Sequence, residues 1–212
     1  MDKPVVVTGA HGFIGRHVAR KLASLGHTVI GLGHGVWTRD EWRSWGISEW
    51  HTVDVTLENL VTYAGRPQAI VHCAGSGSVV YSASHPHQDY QRTVATTAAV
   101  LEFARLHAPE AAVVCPSSAA VYGQARQIPI SETAALNPIS PYGVHKLMAE
   151  MHCRIRLIEA GGRPRTIPFD EIVRISLQSS PRGGNLNGAN PCFHSAGRNV
   201  RHITRPLRGS RR

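Results

Sequence analysis

The chain has 212 residues, a mean hydropathy of -0.16 and a formal net charge of +9, which is length enough for one substantial core and a remnant. Residues 1–153 carry 11 Lys+Arg against 11 Asp+Glu and residues 154–212 carry 12 against 3, so the excess is confined to the end of the chain and does not mark the main body as a nucleic-acid binder. Four widely spread cysteines, Cys73, Cys115, Cys153 and Cys192, form no C-x-x-C pair, which argues against a disulfide framework or a zinc site and for a reducing compartment.

The opening Met1-Asp2-Lys3 passes directly into Pro4-Val5-Val6-Val7, with no basic n-region or cleavage site, and no later segment reaches membrane-spanning length. A cytoplasmic chain with no membrane partner is expected. Val5-Val6-Val7 is a short apolar run ending at Gly9, and after it Phe13, Ile14, Val18, Leu22 and Leu25 recur at helical spacing. Residues 27–32 read as a second strand, reached once the helix stops near Gly26, which completes a βαβ unit. Further strands are predicted at 50–55, 69–73 and 111–116, with a helix over 90–107 between the last two. Pro141 suits the first turn of a helix that carries Tyr142, His145, Lys146, Ala149 and Cys153 and is expected to continue past Ile155 and Ile158 to Gly161-Gly162. Continuous apolar strands alternating with helices indicate a parallel sheet covered on both faces, an α/β fold of the Rossmann-type doubly wound class.

Gly9-x-x-Gly12-x-x-Gly15 follows an apolar strand and opens an amphipathic helix, the context in which such a turn cradles a pyrophosphate at a helix N-terminus. Tyr142 and Lys146 stand four residues apart on one helical face and can move a proton together. Such a pair also arises by chance, with the lysine solvated and the tyrosine in packing; its place after Ser117-Ser118 is what singles it out. The thirteen histidines, among them His11, His17, His72, His85, His87 and His145, contain no ligand-spaced set, so no metal is expected. Trp37, Trp42, Trp45 and Trp50 read as packing between the second and third strands, and Tyr122-Gly123 as packing and a substrate floor.

The strings Thr8-Gly9-Ala10-His11-Gly12-Phe13-Ile14-Gly15, Asp54-Val55, His72-Cys73-Ala74-Gly75, Ser117-Ser118-Ala119-Ala120-Val121-Tyr122-Gly123 and Tyr142-x-x-x-Lys146 occur in the order found in extended short-chain dehydrogenases/reductases. Over about residues 3–153 the chain resembles their nucleotide-sugar epimerase/dehydratase branch. The resemblance implies NAD as cofactor, held by Gly9, His11, Gly12, Phe13, Ile14 and Gly15 at the phosphates, by Asp54 and Val55 at the adenine, and by Cys73, Ala74, Gly75, Tyr142 and Lys146 along its length. It implies catalysis by Ser118, Tyr142 and Lys146 on a nucleotide-sugar substrate, in a UDP-glucose 4-epimerase-like reaction through a transient ketosugar. A tyrosine acts as the base only when its pKa of roughly 10 falls, at about 1.36 kcal/mol per unit, and nearby cations can supply that. Ser118 would hold and polarise the reacting hydroxyl. Ala119-Ala120 stand where dehydratases of the branch carry an Asp-Glu pair, which favours an epimerase, or a simple reductase, over a dehydratase. A homodimer formed through two helices is implied as well.

Two departures from the family pattern bear on the cofactor. Members that bind NAD usually end the second strand with Asp or Glu, whereas Leu32-Gly33-His34-Gly35 offers no carboxylate; His34 and Arg39 could face a 2′-phosphate, which leaves NADP open. Thr93 takes the place of a frequent asparagine, with looser contacts near the nicotinamide half expected. Residues 1–156 are read as the NAD(P)-binding domain with the catalytic residues, and residues 157–212 as an irregular Arg/Gly/Pro-rich tail standing in place of the family's C-terminal substrate domain. Residues 154–212 hold twelve arginines, no lysine, seven glycines and five prolines without periodicity, as a shifted G+C-rich reading frame would give. A divergent C-terminus and a functional basic arm rank behind that explanation. The arm gives the rival function, a non-catalytic NAD(P)-binding module whose tail holds a polyanion, and the lack of interleaved aromatics in the tail weighs against nucleic acid as that partner.

Overall fold

The computed structural model describes residues 3–125 and 127–159. Five strands, β1 (Val5–Thr8), β2 (Val29–Gly33), β3 (Glu49–Thr52), β4 (Ala69–His72) and β5 (Ala112–Val114), form one parallel sheet in the order β3-β2-β1-β4-β5. All pairings are parallel, with Val5 opposite both Val29 and Ala69. This is the expected Rossmann-type doubly wound sheet. Successive strands step outward from β1 in one direction and then, from β4, in the other. The reversal opens a crevice at the carboxyl ends of β1 and β4, where such sheets bind ligands.

The strands β1 and β2 are buried along their whole length, and apart from the hydrogen-bonded Thr8 they carry only apolar residues on both faces. On one face Val6, Ile30, Leu32 and Ile70 meet Leu60 and Ala64 from α3 (Leu57–Tyr63) with its following turn, and Val100, Phe103 and Ala104 from α6 (Thr96–His107). On the other face Val7 and Val29 meet Ala19 of α1 (Phe13–Ser24), with Trp37 and Ile47 closing the layer. Trp42, Trp45 and Trp50 pack against that second cluster, in the role read from their sequence positions.

Several boundaries differ from the sequence reading. The third strand stops at Thr52 because Thr56 N already bonds Asp54 O and the Thr56 hydroxyl caps α3 through Asn59 N at 3.2 Å. The single helix expected over 90–107 is three pieces: α5 (Pro86–Tyr90), a π-helical turn (Gln91–Ala95), then α6. Hydroxyls of Thr96 and Thr97 bond the Arg92 and Thr93 carbonyls at 2.7 Å, which supports the wide turn. Short helices α2 (Glu41–Ser44) and α4 (Val79–Ser84) were not expected either. The last helix, α7 (Pro141–Glu159), begins where Pro141 placed it, while the stop expected at Gly161-Gly162 and the tail lie outside the described residues. Among the described residues no helix is long and apolar enough to cross a membrane.

A buried hydrogen-bond chain locks the sheet to α6. Ala74 N donates to Thr8 Oγ1 at 3.3 Å, and Thr8 Oγ1 and His72 Nδ1 stand 2.7 Å apart. On the ring's other side His72 Nε2 lies 3.4 Å from Thr96 Oγ1, whose hydrogen is given to Arg92 O. In a neutral imidazole one ring nitrogen donates and the other accepts, and the two threonine hydroxyls can serve both. Burial, with the Lys146 charge second, holds the His72 pKa down at about 3. The unfolded chain takes a proton near pH 6.5, and the folded chain does not until about 3, so stability falls as pH drops through this window. Between roughly pH 7 and 5.5 His72 alone should cost about 1 kcal/mol. Urea unfolding at the two pH values should therefore give His72→Asn a smaller acid loss than the parent, and equal losses would contradict the neutral ring.

Candidate active site

The site is assembled at the carboxyl ends of the strands. Gly9 leaves β1 at φ +67, and a Cβ added there would stand 2.6 Å from Ala74 N, so the turns after β1 and β4 can lie together only with hydrogen at that position. The turn is tied by Gly9 N to Leu32 O at 2.7 Å and Gly12 N to Gly9 O at 2.9 Å. Helix α1 then starts at Gly12 with no side-chain cap and no acid in its first turn. Its leading N–H groups are left for an anion, which fits a dinucleotide pyrophosphate. Arg16 donates twice to His11 O, and the His11 ring meets Trp37 edge-on at 4.5 Å, so both side chains brace the turn from outside. Phe13 is exposed, Ile14 half-buried and Gly15 buried.

At one end of the site the neighbouring strands β2 and β3 bring His34 and Asp54 together. His34 Nε2 lies 2.6 Å from Asp54 Oδ1, with both side chains mostly exposed, while Val55 is buried in the core and Arg39 is exposed at φ +54. At the other end Ser76 N donates to Thr93 Oγ1 at 3.3 Å, so Thr93 secures the turn after Gly75 despite replacing a longer side chain.

Helix α7 enters through three local contacts. Buried Ser82 accepts Tyr142 N at 3.0 Å, Ser140 Oγ accepts Gly143 N at 3.1 Å, and a Cβ on Gly143 would stand 2.6 Å from Ala120 O. The last approach seats the helix against the 3-10 turn (Ala119–Tyr122), whose cap is Ser118: its Oγ accepts Ala120 N at 3.2 Å and keeps a hydrogen to give. Lys146 Nζ donates to Pro116 O at 3.2 Å and would stand 4.0 Å from a Cβ on Gly75. The Ser117 hydroxyl donates to Glu150 Oε1. Thus the elements bearing Ser118, Tyr142 and Lys146 converge beside the Cys73-Ala74-Gly75 turn.

Burial pulls Lys146 below the usual lysine range. Burial also raises the Cys73 thiol to about 12, and the hydrogen bond that the Cys115 thiol gives to Cys153, with burial, keeps Cys115 well above the thiol range, so those two sulfurs are protonated near neutral pH. Tyr122 is likewise pushed up, by burial first and then by Glu150 and Glu132, in keeping with a packing role. Among the described residues no group of three His, Cys, Asp or Glu is placed to hold a metal ion. The sequence reading missed Ser82 and Asp89, which act through partners about 60 residues away and carry no local motif.

Comparison with known proteins places this arrangement. Residues 5–163 match the NAD dependent epimerase/dehydratase family. The chain belongs to that family. It is 34% identical over 169 residues to UDP-glucose 4-epimerase 4 of Oryza sativa subsp. japonica, covering 72% of this chain and 44% of the rice protein. UDP-glucose 4-epimerase from Brucella ovis in complex with NAD superposes with a TM-score of 0.66 at 32% identity, over 76% of this chain and 50% of that one. The Thermotoga maritima UDP-glucose 4-epimerase with UDP-glucose gives 0.65 at 25% identity, over 75% and 52%. This family member spans about half the length of the relatives it matches. Within that span, His34 in place of a carboxylate and Thr93 in place of an asparagine are the departures from the family pattern read in the sequence.

Proposed function

We propose that residues 1–156 form an NAD(P)-binding and catalytic unit of a nucleotide-sugar epimerase. The observation that carries the reading is the helix bearing Tyr142 and Lys146 set against the Gly75 turn, with Lys146 tied to Pro116 O after β5. Gly9, Gly12 and the first turn of α1 would hold the phosphates, Asp54 the adenine, and Lys146 the nicotinamide ribose. When bound, NAD supplies a hydride acceptor. Tyr142 takes the proton of the sugar hydroxyl, Ser118 donates to the reacting oxygen, and Lys146 adds positive charge that favours the phenolate. The protein's part would be to hold the resulting ketosugar in the site while it turns its other face to the cofactor. Ala119 and Ala120 offer no carboxyl to eliminate water, which supports an epimerase over a dehydratase. Solved family members with NAD and with UDP-glucose support the ligand classes.

Calorimetric titration with NAD⁺ and NADP⁺ tests the reading. The parent is expected to bind NAD⁺, and His34→Asp to weaken NADP⁺ about tenfold relative to NAD⁺, because a carboxylate there repels the 2′-phosphate. Failure to bind either dinucleotide at millimolar concentration would sink the assignment.

A further inference from the structure

The fold brings two of the four cysteines together. Cys115 follows β5 directly and continues the strand face of Val113, which packs on the cluster shared with α6, and α7 lies beside α6. On α7, Lys146, Glu150 and Cys153 are spaced i, i+4 and i+7 and so share one helical face. The first two bond the residues that follow Cys115: Lys146 Nζ donates to Pro116 O at 3.2 Å, and Glu150 accepts from the Ser117 hydroxyl. Cys153 completes the row, its sulfur accepting a hydrogen bond from the Cys115 thiol. Cys73 packs with the cluster on the α1 side of the sheet, and Cys192 lies outside the described residues.

We propose that Cys115 and Cys153 are a reversible redox lock, a disulfide made by a hydroperoxide and undone by a dithiol, which ties α7 to the end of β5. Thiols in hydrogen-bond contact stand near the Cβ–Cβ separation of about 3.5–4.5 Å that a disulfide spans. Both residues are half-buried, and His152 and Arg154 beside Cys153 are exposed, so a molecule as small as hydrogen peroxide can reach the pair. The bond from Cys115 draws Cys153 below the usual thiol range, which makes Cys153 the attacking sulfur. Its thiolate breaks the O–O bond and takes one oxygen as a sulfenic acid, while the other oxygen leaves as water. The Cys115 sulfur then displaces the sulfenic oxygen as a second water, its own proton leaving with it. Two thiols and one peroxide thus become one disulfide and two waters. It is a transient bond, distinct from the structural framework that the cysteine spacing argues against. The loop it closes, residues 115–153, contains Ser118, Tyr142 and Lys146. The lock stands on the fold and not on the function proposed above.

The test uses the full parent chain, so it depends on no variant that must fold. The chain is reduced, freed of reductant and treated with equimolar hydrogen peroxide near neutral pH; remaining thiols are blocked with N-ethylmaleimide, and the chain is digested with trypsin without reductant. Mass spectrometry is expected to show the loss of two of the four thiols, with residues 106–126 joined to residues 147–154, and dithiothreitol should restore both thiols. The oxidised chain should melt about 10 °C above the reduced one, because the closed loop restricts the unfolded state. In Cys115→Ser the resolving sulfur is gone, and dimedone should instead trap Cys153 as its sulfenic acid. Links that fall on Cys73 or Cys192, or recovery of Cys115 and Cys153 as maleimide adducts after peroxide, would overturn the proposal. A bond that forms and leaves the melting temperature unchanged would overturn it too, since α7 would then not be held by it.

Discussion

Tyr142→Phe is expected to lower hydride transfer about 10³-fold, roughly 4 kcal/mol in the barrier, with NAD⁺ affinity within about twofold of the parent. Phenylalanine fills the same volume, and the contact that seats this part of α7 is made by the backbone: Tyr142 N to Ser82 Oγ. Lys146 keeps its bond to Pro116 O. Only the phenolic oxygen is lost, so the loss should fall on the chemical step and not on binding. The readout is NADH fluorescence in a single turnover with NAD⁺ and UDP-glucose, in this chain or in a fusion carrying the C-terminal half of a family relative. Equal rates for parent and variant would show that the base has been misassigned.

Gly9→Ala should remove both stability and cofactor binding. The methyl group must be placed at φ +67 and 2.6 Å from Ala74 N, a backbone atom that cannot rotate away. Relief requires β1 and β4 to part at the hydrogen bond from Cys73 N to Thr8 O, beside the buried Thr8–His72 link. A left-handed alanine and a displaced turn together cost about 3 kcal/mol. The same displacement turns the first amides of α1 away from the phosphates, so the rise in melting temperature given by NAD⁺ to the parent should vanish. A Gly9→Ala variant that melts with the parent and still responds to NAD⁺ would mean that the two turns are not in register as described.

Much of this was legible because it is local. A buried central strand must be apolar on both faces, so Val5-Val6-Val7 declared itself, and a glycine turn followed by an amphipathic helix has few other uses. Pro141 marked the start of α7, and Tyr142 and Lys146 needed only the helical period. What escaped depends on contacts distant in sequence. No pattern announces that Ser82 will seat Tyr142 N, or that Asp89 will be buried against His145. The π-helical turn was invisible for a related reason: its support comes from threonine hydroxyls bonding back to carbonyls, and residues 90–107 keep a helical period through it. His34 was read as a phosphate-facing residue and Asp54 as an adenine acid, each alone; that they meet follows from adjacent parallel strands ending side by side.

The tryptophans carry a practical consequence. All four fall within residues 37–50, in the layer that α1 makes with β2 and β3, where the Arg16 and Arg20 guanidinium groups stand 5.1 and 3.8 Å from the Trp45 ring centre. Trp37, against His11, is the indole nearest the glycine turn by its partners. Intrinsic emission is thus a one-sided probe: quenching on ligand addition will sense the glycine turn, while loosening of α7 and its Ser82 seat will pass without a spectral change. A denaturation curve followed by fluorescence should trail one followed by helical circular dichroism whenever α7 frays first, and the gap between the two curves measures how independently that helix comes loose.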